Sequence, residues 1–188
     1  MKVNIGVSAR HVHVTNEDVI ILFGKDYKLT KKTNLTQPGQ FACNEQVTLK
    51  GPKGTIENVR ILGPERAQTQ VEISKTDTFK LGINPPVRNS GDLKDASEIT
   101  IIGPAGQITK NAAIIATRHV HATKEDAKKH GFEGKKSVKI IVKGEKGGIL
   151  NNVHVRISDK SFYEVHLDTD DANAFLIKNG DEAELIIE

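Results

Sequence analysis

Tryptophan is absent from this 188-residue sequence, and aromatic side chains make up only 4% of it. Proteins that grip single-stranded nucleic acid stack bases on rings, so a nucleic-acid partner is not expected. A single cysteine, Cys43, cannot close an internal disulfide, which fits a reducing compartment. Cys43 also lacks a nearby His or a CxxC partner and reads as a packed thiol, not a nucleophile. No apolar run approaches the roughly 20 residues a membrane helix needs, so no membrane partner is expected. With 27% charged and 37% hydrophobic residues, the expectation is a soluble chain with a real core. The chain runs at once into an alternating apolar segment, without a cationic leader or cleavage site, and this points to the cytoplasm. There is neither a glycine-rich dinucleotide fingerprint nor a P-loop. The net charge of +3 comes from lysines spread along the chain, which suits phosphate-rich small molecules as well as a polyanion.

What is present is a repeat. Ala9-Arg-His-Val-His-Val-Thr-Asn-Glu-Asp18 returns as Thr117-Arg-His-Val-His-Ala-Thr-Lys-Glu-Asp126, an offset of 108 (119 − 11). Further on, Asn58-Val59 matches Asn152-Val153 at an offset of 94, which lays Glu72 on His166 and Asp77 on Asp171. The chain therefore reads as a tandem duplication. Its first copy carries about 14 extra residues (108 − 94), placed at residues 30–46. The turn-rich segment 83–92 is expected to be an ordered loop between copies.

Short alternating or apolar runs separated by Gly and Pro predict strands over 3–7, 46–49, 59–62, 70–73, 99–102, 138–142, 153–157 and 184–187. Strands this short and frequent suggest small barrels, so the fold class is mainly β. Helices should be few and short. Thr15 and Thr123 can each cap one with an acidic first turn, ending at Gly24 or Gly131, and a third is expected over 170–178.

Chemistry concentrates in the repeated histidines. Residues two apart on a strand project from one face, so His11 with His13, and His119 with His121, each present two imidazoles to one point. Glu72 and His166 add a candidate ligand at equivalent places, and six ligands suggest two metals. Imidazoles with one carboxylate suit zinc, and catalytic zinc keeps one position open. Arg10, Arg66, Arg88 and Arg118 supply guanidinium forks that can hold phosphate bidentately; taken by itself, Arg66 reads as an ordinary surface arginine. His130, at the end of a helix among lysines, and His154, between two strand valines, read as ordinary residues.

The chain resembles the PduL-type phosphotransacylases, the phosphate propanoyltransferases, over nearly its whole length. The resemblance is carried by Ser8-Ala-Arg-His-Val-His, Gly63-Pro-Glu-Arg-Ala-Gln-Thr-Gln-Val-Glu, Pro86-Val-Arg-Asn-Ser-Gly-Asp-Leu, Ala116-Thr-Arg-His-Val-His and Glu164-Val-His-Leu-Asp-Thr-Asp-Asp-Ala-Asn-Ala. It implies two β-barrels capped by short helices, residues 10–117 and residues 1–9 plus 118–188, with a dinuclear zinc site between them in a homodimer. His11, His13, Glu72 and His119 would hold one zinc, and His119 or His121 with His166 the other. Arg66 matches the family's phosphate-binding arginine and would be catalytic. Phe79 lies where a ring would contact coenzyme A, and Ser8 and Arg88 fall among the substrate-binding positions. The implied reaction passes a short acyl group, propanoyl or acetyl, between coenzyme A and phosphate, so acyl-CoA, acyl phosphate and phosphate are the expected small-molecule partners. Relatives housed in bacterial microcompartments carry an N-terminal targeting extension that this sequence does not show, which favours a free cytoplasmic enzyme. Two rival readings of the histidine pairs are a dinuclear zinc hydrolase of thioesters or phosphoesters, and a zinc-stabilised barrel that binds polyanions.

Overall fold

The structure is a computed structural model and describes residues 1–187. The chain begins with β1 (Lys2–Ser8), β2 (His11–His13), α1 (Asn16–Phe23), β3 (Lys31–Asn34), β4 (Phe41–Lys50), β5 (Thr55–Gly63), β6 (Gln70–Glu72) and α2 (Lys75–Leu81). It continues with β7 (Val87–Arg88), β8 (Ser97–Ile102), β9 (Gln107–Ala116), β10 (His119–Ala122) and α3 (Lys124–Lys129). The last elements are β11 (Ser137–Val142), β12 (Gly148–Ile157), β13 (Glu164–Asp168), α4 (Thr169–Ala174) and β14 (Glu182–Ile186). Residues 10–116 form one compact unit, and residues 1–9 with those from Thr117 onward form another.

In the unit of residues 10–116, β4 pairs with β5, β5 with β2, β2 with β6, β6 with β9, β9 with β8, and β8 back with β4. The ring closes, which leaves its six strands no free edge. β3 and β7 lie outside the ring, on β4 and β9. Leu49, Ile61, Val71, Ile99 and Ile101 fill the core, and each such side chain contributes about 1.5–3 kcal/mol by leaving water.

The other unit is a closed barrel in the order β1-β13-β10-β12-β11-β14, packed around Ile5, Phe132, Ile140, Val165 and Leu167. Its pairing pattern repeats that of the first, with β1 in the place of β9, β13 of β6, β10 of β2, β12 of β5, β11 of β4 and β14 of β8. β1 ends two residues before β2 yet completes the ring of β10, while β9 ends two residues before β10 yet completes the ring of β2. Asn58 and Asn152 both take the left-handed conformation, at φ 58° in each. There the registers of β4 with β5 and β11 with β12 slip by a bulge, and Asn accepts that conformation better than a branched residue.

Thr15 and Thr123 cap α1 and α3 through their hydroxyls, and α1 stops at Gly24. α3 ends at Lys129, two residues before Gly131, with His130 as its cap. The helix expected over 170–178 is shorter. Leu176 turns to φ 56° and the Ile177 N–H bonds back to Ala172 O, closing the C-terminus early. The sequence reading missed α2, whose Ser74 and Asp77 form a capping box, and β9. The extra segment at 30–46 becomes β3 and the start of β4, hairpinned through Lys31↔Cys43 and Asn34↔Phe41. Val47 faces Val59 as Val138 faces Val153, so the offset at these strands is 91 (138 − 47). The first copy therefore gains 17 residues (108 − 91) before Val47, and the following turn is 3 residues (94 − 91) longer in the second copy.

Candidate metal centre

β2 lies antiparallel to β6 with His11 opposite Glu72, Val12 opposite Val71 and His13 opposite Gln70. Alternation sends Val12 and Val71 into the apolar core and the four polar side chains to the other face. That face is buried too: His11 is 6% exposed, His13 2%, Gln70 2% and Glu72 9%. His11 Nε2 stands 3.5 Å from Glu72 Oε2, and the two imidazoles meet edge to face with centroids 4.9 Å apart. His13 Nδ1 is 3.1 Å from Leu62 O. A carbonyl only accepts, so Nδ1 carries the hydrogen and Nε2 keeps its lone pair. Burial, then the nearby His11 and Arg66, push the His13 pKa down to about 3 and keep the ring neutral at neutral pH.

The second unit builds the corresponding arrangement from β10 and β13, with His119 opposite His166, Val120 opposite Val165 and His121 opposite Glu164. Val120 and Val165 enter the core, while His119, His121 and His166 converge with ring centroids 4.7 to 5.2 Å apart. His119 Nε2 and His121 Nε2 are 3.1 Å apart. His119 Nδ1 lies 2.9 Å from Thr117 O and donates to it, which again puts the hydrogen on Nδ1 and the lone pair on Nε2.

In each group the three donor atoms lie within 4.8 Å of one another. Ligands on one tetrahedral zinc, at about 2.0–2.1 Å from it, sit roughly 3.3 Å apart. The 3.1 and 3.5 Å separations fall on either side of that value. Two imidazoles with a carboxylate, and three imidazoles, are both donor sets of catalytic zinc sites, and backbone carbonyls on the distal ring nitrogens are the usual means of fixing such histidines. The residues fit zinc.

The repeated arginines serve the frame. Arg10 Nε donates to Asp77 Oδ1 at 2.9 Å, and Arg118 Nε donates to Asp171 Oδ2 at 2.7 Å. Asp77 and Asp171 stand in the first turns of α2 and α4, the helices that directly follow the strands of Glu72 and His166. Each motif arginine thus ties the His-x-His strand to the helix after the third donor. Arg88 is engaged nearby, with Asp95 Oδ2 at 3.1 Å and Lys94 O at 2.9 Å.

Arg66 is placed differently. Its N–H bonds to Val14 O at 2.9 Å, and its guanidinium donates to Ser90 Oγ at 3.3 Å. Gln70 Nε2 also reaches Ser90 Oγ, at 2.9 Å, and Glu72 Oε1, at 2.6 Å, while the Gly91 N–H holds Gln70 Oε1 at 2.7 Å. A polar chain therefore runs from Arg66 to the candidate ligand Glu72. The loop is fastened from behind by Thr69, which donates to Asp18 Oδ2 and accepts from the Thr15 N–H; Lys110 Nζ is 2.5 Å from the same Asp18 oxygen. The sequence reading left Gln70 and Glu164 unassigned and gave Ser90 no role; Gln70 and Glu164 lie two residues before Glu72 and His166, at the same 94 offset, so strand alternation marks them.

Ser8 lies at the end of β1 opposite Asp168. Phe79 stands 71% exposed on α2, with Lys75 Nζ 5.3 Å from its ring centre. Cys43 is fully buried, and burial pushes its thiol pKa up to about 11. His130 stacks on Tyr163 with ring centroids 4.6 Å apart. Among the described residues no helix is long and apolar enough to cross a membrane.

Residues 4–178 match the family model for phosphate propanoyltransferase. A phosphate propanoyltransferase of Thermotoga maritima is 51% identical, over 94% of this chain and 85% of its own length. One of Priestia megaterium is 53% identical, over 95% and 83%, and one of Rhodobacter capsulatus 48%, over 94% and 83%. Because the match runs through both histidine clusters and the Arg66 loop at this level of identity, the chain belongs to the phosphate propanoyltransferase family.

Proposed function

We propose that the chain is an acyltransferase that moves a short acyl group, propanoyl or acetyl, reversibly between coenzyme A and inorganic phosphate, with one zinc at each donor cluster. The observation that carries this reading is Arg66, whose guanidinium is bonded through Ser90 and Gln70 to Glu72. An anion-binding group thereby sits beside a metal-ligand set. His11, His13 and Glu72 would hold one ion, and His119, His121 and His166 the other. Zinc bound there would supply a Lewis acid for the thioester carbonyl and a soft partner for sulfur.

Arg66 holds phosphate through paired N–H donors and offsets its charge. A phosphate oxygen attacks the thioester carbonyl carbon, the new C–O bond forms, the C–S bond breaks, and coenzyme A departs as its thiolate. No acyl-enzyme is required. Cys43, buried and held as a thiol by its raised pKa, is unsuited to one. The exposed Phe79 ring is assigned to coenzyme A, in a homodimer. Ser8 and Arg88 are assigned to the periphery of the substrate site, and the protein is assigned to the cytoplasm.

The test follows consumption of acetyl phosphate and propanoyl phosphate with and without coenzyme A, before and after chelation and zinc restoration. Thioester formation that chelation abolishes and zinc restores supports the proposal and ranks the two acyl groups. Release of free acid without thioester would replace it with a hydrolase, and salt-sensitive polyanion binding without turnover would replace it with a binding role.

A further inference from the structure

The residue two positions before each third ligand differs between the copies, and it differs in step with the ligand. In β6 the ligand candidate is a carboxylate, Glu72, and its neighbour is an amide, Gln70, whose Nε2 donates to Glu72 Oε1 at 2.6 Å. In β13 the candidate is an imidazole, His166, and its neighbour is a carboxylate, Glu164, whose Oε2 lies 2.7 Å from His166 Nε2. Gln70 and Glu164 occupy one register position, opposite His13 and His121 respectively. Both are buried, at 2% and 5% exposure. The Gly91 N–H holds Gln70 Oε1, so the amide cannot flip without losing that bond, and its N–H₂ must face Glu72. An acceptor thus meets a donor in one copy, and a donor meets an acceptor in the other.

We infer that Gln70 and Glu164 are polarity-matched positioning residues, each taking one polar atom of the third ligand and leaving the other for the metal. With Glu72 Oε1 held by Gln70, Oε2 is the atom that faces His11 Nε2. With His166 Nε2 donating to the Glu164 carboxylate, the remaining ring nitrogen keeps its lone pair, and the carboxylate strengthens it as a donor. Gly6 shows how closely the second pair is fitted: a Cβ there would come within 2.9 Å of the His166 ring and 3.1 Å of the Glu164 carboxyl carbon. Neither Gln70 nor Glu164 needs to touch substrate for this role. The inference rests on the metal reading above.

The experiment is zinc titration of the whole protein against a chelator of known affinity, with metal-free melting measured alongside. Wild type should take up two zinc ions, and none taken up would overturn both readings together. Given two, Glu164→Gln should weaken one site about 10–100-fold and leave the other unchanged, with metal-free melting preserved. Gln70→Met should weaken the opposite site alone by a similar factor. Glu164→Gln combined with His166→Glu recreates the pairing of Gln70 with Glu72, and it should bind zinc at least tenfold more tightly at that site than Glu164→Gln alone. Affinities within threefold of wild type in both single variants would overturn the inference. So would losses matched by equal losses in metal-free stability, or a combined variant no better than Glu164→Gln.

Discussion

The two copies build the same barrel and fasten it unequally. Each has its six-strand ring, its left-handed asparagine and its arginine clamped to an aspartate at the start of a helix. The loops that follow β5 and β12 are both six residues long, 64–69 and 158–163. In the second copy the Ser158 N–H bonds to Ala122 O directly after the strand. The matching residue of the first copy is Pro64, which has no N–H, so the bond to Val14 O is made two residues later by Arg66. A missing donor thus brings the Arg66 backbone to the end of β2, beside His13. The lesson is that the duplication kept the frame and differentiated the loop that carries Arg66, the residue proposed to hold phosphate.

The substitution that breaks this asymmetry most severely is Arg66→Ala. On the proposed role, loss of the guanidinium removes about 2–5 kcal/mol of phosphate binding, so kcat/KM for phosphate should fall by about 30-fold or more. Lys160→Ala, at the equivalent place in the second loop, should stay within about twofold. Equal losses in steady-state assays would remove Arg66 from the substrate site.

The fastening of that loop comes next in size. In the second copy Asp126 closes an ordinary capping box with Thr123. In the first, Thr69 takes the Thr15 N–H, which releases the Asp18 side chain to bind Thr69 and Lys110. Asp18→Asn leaves Lys110 without its buried countercharge. Since Lys110 is partly exposed, the cost should be about 2–3 kcal/mol, below that of a fully buried broken pair. Lys2, the counterpart of Lys110 at the 108 offset, pairs at the surface with Glu182. Lys2→Met should leave the denaturant midpoint almost unchanged, because an exposed pair contributes little. If the two substitutions cost the same, the loop is not specially fastened.

Cys43 belongs to the hairpin that only the first copy carries. Its thiol, pushed up to about 11, leaves roughly one part in a thousand as thiolate at pH 8. Cys43→Ala should cost about 1 kcal/mol or slightly more as a small cavity and leave turnover within about twofold. Complete loss of turnover in a folded variant would point to a covalent route.

The two clusters of three side chains were legible because strand alternation and the repeat act at short range: His11 and His13 share a face by arithmetic, and Glu72 follows from the offset of 94. The barrel class followed from short strands, but the closure of each ring by a strand lying next to the other copy in sequence rests on pairings across the whole chain. No local period encodes those. β9 was missed because its exposed half, with Lys110 and Asn111, interrupts the apolar pattern that its buried half completes. Ser90 was missed for a similar reason. Its value lies in meeting Arg66 and Gln70, which come from another loop and another strand.

The smallest effect, and a sign reversal, is expected at Tyr163, the counterpart of Thr69 at the offset of 94. Thr69 is bonded on both sides, whereas the buried Tyr163 hydroxyl has no hydrogen-bond partner among the described residues and its ring stacks on His130. Burial, and then the negative charge of Asp126, push the Tyr163 pKa up to about 12, so at neutral pH this is a neutral hydroxyl hidden from water without compensation. Tyr163→Phe removes that atom and keeps the stacked ring. It should therefore leave thermal stability unchanged or raise it by up to about 1 kcal/mol. Thr69→Val should instead lower stability by about 1–3 kcal/mol, because it strands the Thr15 N–H and one side of Asp18. Loss of stability in Tyr163→Phe as large as in Thr69→Val would show that the second loop is held by its hydroxyl after all, and that the two copies are fastened alike.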